Sequence, residues 1–269
     1  MNEFTLIIKP DEEEEDGAEV FVDGTIDGRP YSFLLDTGAA RSSVKYDAYT
    51  AGFSGTDKHN SSGVFAQSSE DIITVPSLNV GPISKTNVIL VRAEEGHPRN
   101  ISLIGMDLLK DLRCHFQFDS NRVLVEDASE FDAEYPVQDL FLDKGAHPYV
   151  DVEFGAVTAQ AVWDTGASIT IVDETFLKEH PDLFQLAGYS TGIDATGTSV
   201  QTPMYRLAES RIGGRVFPPV RVAAVDLSYV NATIERPMNL ILGYSTYSQA
   251  NWIFDFPRKK WAISKWLGA

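Results

Sequence analysis

Cysteine is all but missing from this chain: Cys114 stands alone among 269 residues. No disulfide can close within the chain, and cysteine usage gives no sign of an oxidising compartment. Long apolar runs are missing as well. No stretch approaches the roughly 20 apolar residues that cross a bilayer as a helix. The opening residues, Met1-Asn2-Glu3-Phe4, lack the basic segment followed by an apolar one that marks a secretory signal. A cytoplasmic protein without membrane contact is the simplest expectation. Positive charge is scarce, with 22 Lys and Arg against 39 Asp and Glu and a formal net charge of −17. Such a surface repels phosphate backbones and anionic lipid, so nucleic acid is not an expected partner. The five histidines, His59, His97, His115, His147 and His180, form no pair at metal-ligand spacing. There is no Gly-rich phosphate loop of the Walker form, and Gly213-Gly214 reads as a hairpin turn. Neither a metal nor a cofactor is expected.

What the chain does contain is one tripeptide twice. Asp36-Thr37-Gly38 and Asp164-Thr165-Gly166 stand 128 positions apart, each after a short apolar run and each before an alanine, Ala39 and Ala167. A single copy would mark only a turn with an Asx-type bond. The flanks repeat too. Residues 18–26 alternate apolar and polar, a turn follows at Asp27-Gly28, and residues 31–35 return toward the first Asp. Residues 149–154, the turn Gly155-Ala156 and residues 158–163 do the same before the second. Downstream, Leu103-Ile104-Gly105 is matched by Ile241-Leu242-Gly243, and His115-Phe116-Gln117-Phe118-Asp119 by Asn251-Trp252-Ile253-Phe254-Asp255. A final strand is expected after each, near residues 122–125 and 260–264. Gly105 follows its Asp by 69 positions and Gly243 by 79, so loops differ while order is kept.

This order of hairpin, Asp-Thr-Gly, second hairpin and apolar-apolar-Gly resembles that of the aspartic proteases, over nearly the whole chain. An Ala after the tripeptide resembles the retroviral type rather than the pepsin type. The resemblance implies an all-β, bilobal acid-protease fold: two retropepsin-like β-barrel lobes, related by a pseudo-twofold axis, with the active-site cleft between them. Lobes of residues 1–135 and 136–269 are expected, with the connection near residues 128–145. The implied activity is that of an endopeptidase working as a monomer on an extended peptide or protein substrate. A peptide-binding scaffold that kept the fold but lost catalysis is the alternative.

Peptide hydrolysis in mild acid needs a nucleophile stronger than neutral water and a proton for the carbonyl oxygen. Two carboxyls in contact cannot both ionise readily, so they share one proton over a useful pH range. Asp36 and Asp164 are assigned to that pair, whose titration belongs to both together. The resemblance gives Thr37 and Thr165 a role in locking the two loops across the interface. Gly38 and Gly166 let backbone N–H groups approach the carboxyls. Gly105 and Gly243 are expected to pack beneath the Asp loops, with a short helix after Gly105 and a weaker one after Gly243. Cleft-covering hairpins are sought at residues 60–69 and 194–201, where Gly63, Phe65, Thr196 and Gly197 are the candidate substrate contacts. The acidic run at residues 11–16 reads as a solvated loop, and Arg41 is a candidate ion-pair partner for Asp107.

Ala39 and Ala167 allow a sharper expectation. A hydroxyl side chain there could donate to an ionised Asp and lower its pKa, whereas Ala cannot. Ser42 and Ser168 lie close enough in sequence to substitute in part. The predicted rate maximum against denatured protein falls in weak acid, at about pH 4.5 to 6.5. A pH profile peaking below roughly pH 3 would show that the carboxyl pair has a donor these alanines do not provide.

Overall fold

Alternation of apolar and polar residues sets the strands. In the strand Pro148–Phe154, Val150, Val152 and Phe154 are buried while Asp151 and Glu153 point to solvent, the two-residue period of a sheet with one covered face. The computed structural model describes residues 2–12, 14–62, 67–126, 135–193 and 197–268. They form a mostly β molecule of two lobes, each built on its own sheet, with a third sheet shared between them.

The two lobes repeat one topology. In the first, the strand Arg29–Leu35 pairs antiparallel with Ala18–Ile26 and parallel with Ser102–Ile104. Ser102–Ile104 takes Ser43–Val44 antiparallel, and Ser43–Val44 takes Ile83–Arg92 in parallel. In the second, Val157–Trp163 lies between Pro148–Phe154 and Leu240–Leu242. Leu240–Leu242 pairs antiparallel with Thr170–Asp173, which takes Val220–Val225 in parallel. The parallel pairs have a geometric consequence. Parallel strands end at the same edge, so the loops leaving Leu35 and Ile104 emerge side by side, as do those leaving Trp163 and Leu242. The ladder runs one step further at each, with Asp36 N–H donating to Ile104 O at 2.9 Å and Asp164 N–H to Leu242 O at 3.1 Å.

Glycine is needed where these loops touch. A Cβ on Gly105 would lie 2.7 Å from the Ala39 carbonyl oxygen, and one on Gly243 would lie 2.1 Å from that of Ile169. Each glycine is followed by a four-residue helix, Met106–Leu109 in the first lobe and Tyr244–Tyr247 in the second. The second helix is as long as the first, contrary to the expectation from its β-branched and aromatic residues. Packing overrides propensity here. Tyr247 is fully buried, its hydroxyl donates to Thr165 O at 3.2 Å, and its carbonyl accepts from Trp252 Nε1 at 2.7 Å.

The third sheet joins the halves. Its antiparallel order is Glu3–Thr5, Arg122–Glu126, Arg113–Gln117, Ala250–Asp255, Lys260–Trp266 and Gln138–Asp139. At the central junction Phe116 faces Trp252 and Cys114 faces Phe254. These side chains are buried, and Phe116 and Phe254 pack on Trp163 at ring-centroid distances of 4.7 and 4.6 Å. Trp163 leads directly into Asp164, so the shared sheet supports the second Asp loop from below. Arg113 crosses the junction to Asp255 at 3.5 Å and also meets Glu126 at 3.1 Å.

The acidic run is not simply solvated. Glu14 is buried, its carboxylate lies 3.2 Å from Arg221 of the second lobe, and Gly17 rests against Ile169 of the second Asp loop. The loop also bonds to itself, through Gly17 N–H to Glu14 O and Asp11 N–H to Gly17 O, both at 2.9 Å. A pairing cation and satisfied backbone groups offset the desolvation that a charge run otherwise resists. Among the described residues, no helix is long and apolar enough to cross a membrane.

Replacing Gly243 by Ala should lower stability by about 3 kcal/mol or more, because the methyl group meets backbone that has no room to yield. Gly52→Ala, at a site with no atom within 4 Å of the added methyl, is the control and should leave the unfolding midpoint in denaturant unchanged.

Candidate active site

Asp36 and Asp164 close their strands at the two equivalent loop pairs, and the next residues fix those loops to each other. Thr37 N–H donates to Thr165 Oγ1 at 3.1 Å, and Thr165 N–H donates to Thr37 Oγ1 at 3.0 Å. The Thr37 hydroxyl donates in turn to the carbonyl of Trp163 at 2.7 Å. Both threonines are completely buried, so any one of these bonds left unmade would cost about 1 to 3 kcal/mol. Short branched hydroxyl side chains suit the position, since they can accept and donate at once without filling the space between the loops.

The glycines come next and cross the pseudo-twofold axis. A Cβ on Gly38 would lie 2.4 Å from Asp164 Oδ2, and one on Gly166 would lie 2.5 Å from Asp36 Cγ. Each carboxyl therefore sits over the glycine of the opposite lobe. No other residue type leaves room for it. Gly166 N–H and Gly38 N–H both donate to Asp164 Oδ1, at 2.8 and 3.1 Å. The two carboxyls lie close enough for each to act on the other's titration.

Each carboxyl keeps some surface toward the cleft, yet the protein crowded beneath and around it removes most of its hydration. Burial is accordingly the largest influence on both, and raises both above the usual carboxylate range. They are not raised alike. Asp36 stands well above that range, pushed first by burial and then by the Asp164 charge, with the Arg99 charge opposing. For Asp164 burial is opposed by the Gly166 and Gly38 N–H groups, by the charge of His147 and by the bond from Asp36. Two backbone donors on one oxygen favour the ionised form of Asp164, so the rise is opposed more there than at Asp36.

Ala39 and Ala167 contribute their carbonyls, which accept from Met106 N–H at 2.8 Å and Tyr244 N–H at 2.9 Å. Ser42 does not stand in for a hydroxyl at these positions. Its Oγ donates to Asp107 at 2.7 Å and accepts from Gly105 N–H at 2.9 Å, so it is committed to the loop beneath. Asp107 also takes the Ser42 N–H at 2.8 Å, while Arg41 acts on it only through its charge. In the second lobe Thr170 and Ser245 occupy the equivalent places, Thr170 N–H donating to Ser245 Oγ at 3.0 Å. A neutral hydroxyl pair thus replaces the charged one.

Each lobe carries a long hairpin. One is formed by Asp57–Ser62 and Gln67–Val80, the other by Phe184–Ile193 and Ser199–Leu207. The candidate contacts Gly63, Phe65 and Thr196 lie outside the described residues. Gly197 is described. It has a φ of +78°, and a Cβ there would come within 2.5 Å of Pro98 Cβ and 3.1 Å of Arg99 N. The second-lobe hairpin therefore leans on a first-lobe loop.

Three further residues near the carboxyls carry no motif. Arg99 bonds to Glu19, and His147 holds Asp143 through Nδ1 at 2.8 Å. Glu19 and His147 each stand 17 positions ahead of their Asp, so aligning the two repeats finds them as equivalents. Nothing in composition or periodicity does.

Residues 22–108 and again residues 150–246 match one family model, described as aspartyl protease. Comparison with curated proteins gives no match.

The raised Asp36 makes a stability prediction with a definite sign. A carboxyl raised on folding stabilises the fold most below its unfolded pKa, near 4, and loses that contribution as pH rises through its folded value. Asp36→Asn removes the group whose pKa rises on folding. Its melting temperature should therefore exceed the parent's at pH 7, with the gap closing as pH falls toward about 4. A gap independent of pH would show that burial of this carboxyl is not the cause.

Proposed function

This chain belongs to the aspartyl protease family, and from that membership we propose that it is an endopeptidase in which Asp36 and Asp164 act as one proton-sharing pair. The observation that carries the reading is the contact between the two carboxyls, each seated over the other lobe's glycine. Both acids come from one chain, which supports activity as a monomer, with residues 1–135 and 136–269 each supplying one half of the site.

Asp164, ionised, accepts a proton from a water held between the acids, and the water oxygen bonds to the scissile carbonyl carbon. Asp36 gives its proton to the carbonyl oxygen as charge develops there, producing a neutral gem-diol. The C–N bond then breaks. The leaving nitrogen takes the proton now on Asp164, and one gem-diol hydroxyl returns a proton to Asp36. The products are a carboxylic acid and an amine, and both side chains are back in their starting states. Support for these roles comes from the backbone, where the Gly38 and Gly166 N–H groups both donate to Asp164 Oδ1 and favour its ionised form.

The substrate on this reading is extended polypeptide lying between the lobes under the two hairpins, whose open edges can pair with it as strands do. The shared sheet holds the lobes in register below, so the fixed separation of the acids survives substrate entry.

Asp36→Asn and Asp164→Asn should each lower kcat/KM for a denatured protein by about a thousandfold or more while leaving circular dichroism unchanged. A statine-type inhibitor should block the parent. Cleavage that persists in both variants would place the activity elsewhere, and a parent that binds peptides without cutting them would favour the scaffold alternative.

A further inference from the structure

Arg99 and Glu19 form an ion pair at the seam between the lobes, beside the carboxyl pair and outside it. Second-lobe backbone brackets it from two directions. Glu19 adjoins Ala18, whose N–H reaches the carbonyl of Ser168 at 3.4 Å, only four positions beyond Asp164. Arg99 adjoins Pro98, on which Gly197 of the second-lobe hairpin rests. A peptide lying over Asp36 and under that hairpin must pass this pair.

The pair is also held still. Arg99 N–H donates to His97 Nδ1 at 3.1 Å, and the Arg99 carbonyl accepts from Ile101 N–H at 2.9 Å. The side chains are 21% and 35% exposed, so each keeps a face open to solvent while most competing water is excluded. One guanidinium nitrogen of Arg99 is bonded to one carboxylate oxygen of Glu19. A guanidinium has five N–H donors and a carboxylate two acceptor oxygens, so this single contact leaves donors on one partner and an acceptor on the other. The Arg99 charge reaches Asp36 as well, where it favours the ionised form.

We propose that the Arg99–Glu19 pair selects an amide side chain, Asn or Gln, in the substrate residue lying on the Asp36 side of the scissile bond. The proposal rests on the endopeptidase reading above and adds its specificity. An amide offers a carbonyl to Arg99 and an NH2 group to the free oxygen of Glu19, matching both halves of the pair without adding charge. A carboxylate side chain meets the negative charges of Glu19 and of the carboxyl pair. A cationic one meets Arg99. An alkyl side chain covers the remaining donors and leaves them unmet, which costs more than a lost hydrogen bond in water.

The test uses peptides identical except at one position, scanned through the two residues on each side of the cleaved bond, with Gln, Glu, Lys or Leu there. At one of these positions Gln should raise kcat/KM about tenfold over Leu, with Glu and Lys below Gln. Glu19→Gln, leaving Arg99 unpaired, should move the preference there to Glu, and Arg99→Gln should move it to Lys. A merely structural pair would lower all four rates together. Parent cleavage that treats the four peptides alike within about twofold, or a preference that neither substitution changes, overturns the proposal. Binding of the same peptides to the Asp36→Asn protein, read by fluorescence polarisation, separates the two readings. Tighter binding of the Gln peptide there supports the selection even if the parent cuts nothing, and equal binding of all four overturns it.

Discussion

Thr37 and Thr165 exchange hydrogen bonds at 3.1 and 3.0 Å in a place no water reaches. Because each hydroxyl is held by the opposite loop's backbone, neither loop can shift without leaving a buried donor or acceptor unpaired. Everything at the site inherits its position from that exchange. The glycines that follow lie under the opposite carboxyls because the threonines fix the distance between the loops, and the carboxyls meet because nothing larger than glycine intervenes.

The two halves share a plan and differ in charge. At equivalent places the first lobe uses Ser42 with Asp107 and the second uses Thr170 with Ser245. Glu19 and Arg99 flank one carboxyl, while His147, held by Asp143, acts on the other. Such differences are open to a single chain carrying two repeats and closed to two identical copies. They act on the two acids unequally: the Arg99 charge opposes the rise at Asp36, and the His147 charge opposes it at Asp164, where two backbone N–H groups add to it.

Stability and site geometry meet again in the shared sheet. Strands from both halves cross the junction at Phe116 and Trp252, and their aromatic rings pack beneath Trp163, which leads into Asp164. The acidic N-terminal loop adds a second tie through Glu14 and Arg221. The two halves are thus tied by apolar packing in the shared sheet and by an ion pair beside the second Asp loop.

Much of this was legible in residue order. The duplicated Asp-Thr-Gly, the hairpins ahead of it and the glycines Gly105 and Gly243 determined an all-β fold with two repeats and named both acids. These features are local: a two-residue period, a turn and a residue without Cβ show themselves within a few positions of the chain. The sequence misled where long-range packing outweighed local character, as in the helix Tyr244–Tyr247 and the buried Glu14. It was silent on the sheet that joins the halves, on the pairing of Arg99 with Glu19 and on the unequal surroundings of the two acids. Those depend on groups 80 or more residues apart, or on how many backbone donors converge on one oxygen. Contact across such distances is decided by how the two lobes seat on each other, and no pattern confined to one segment records it.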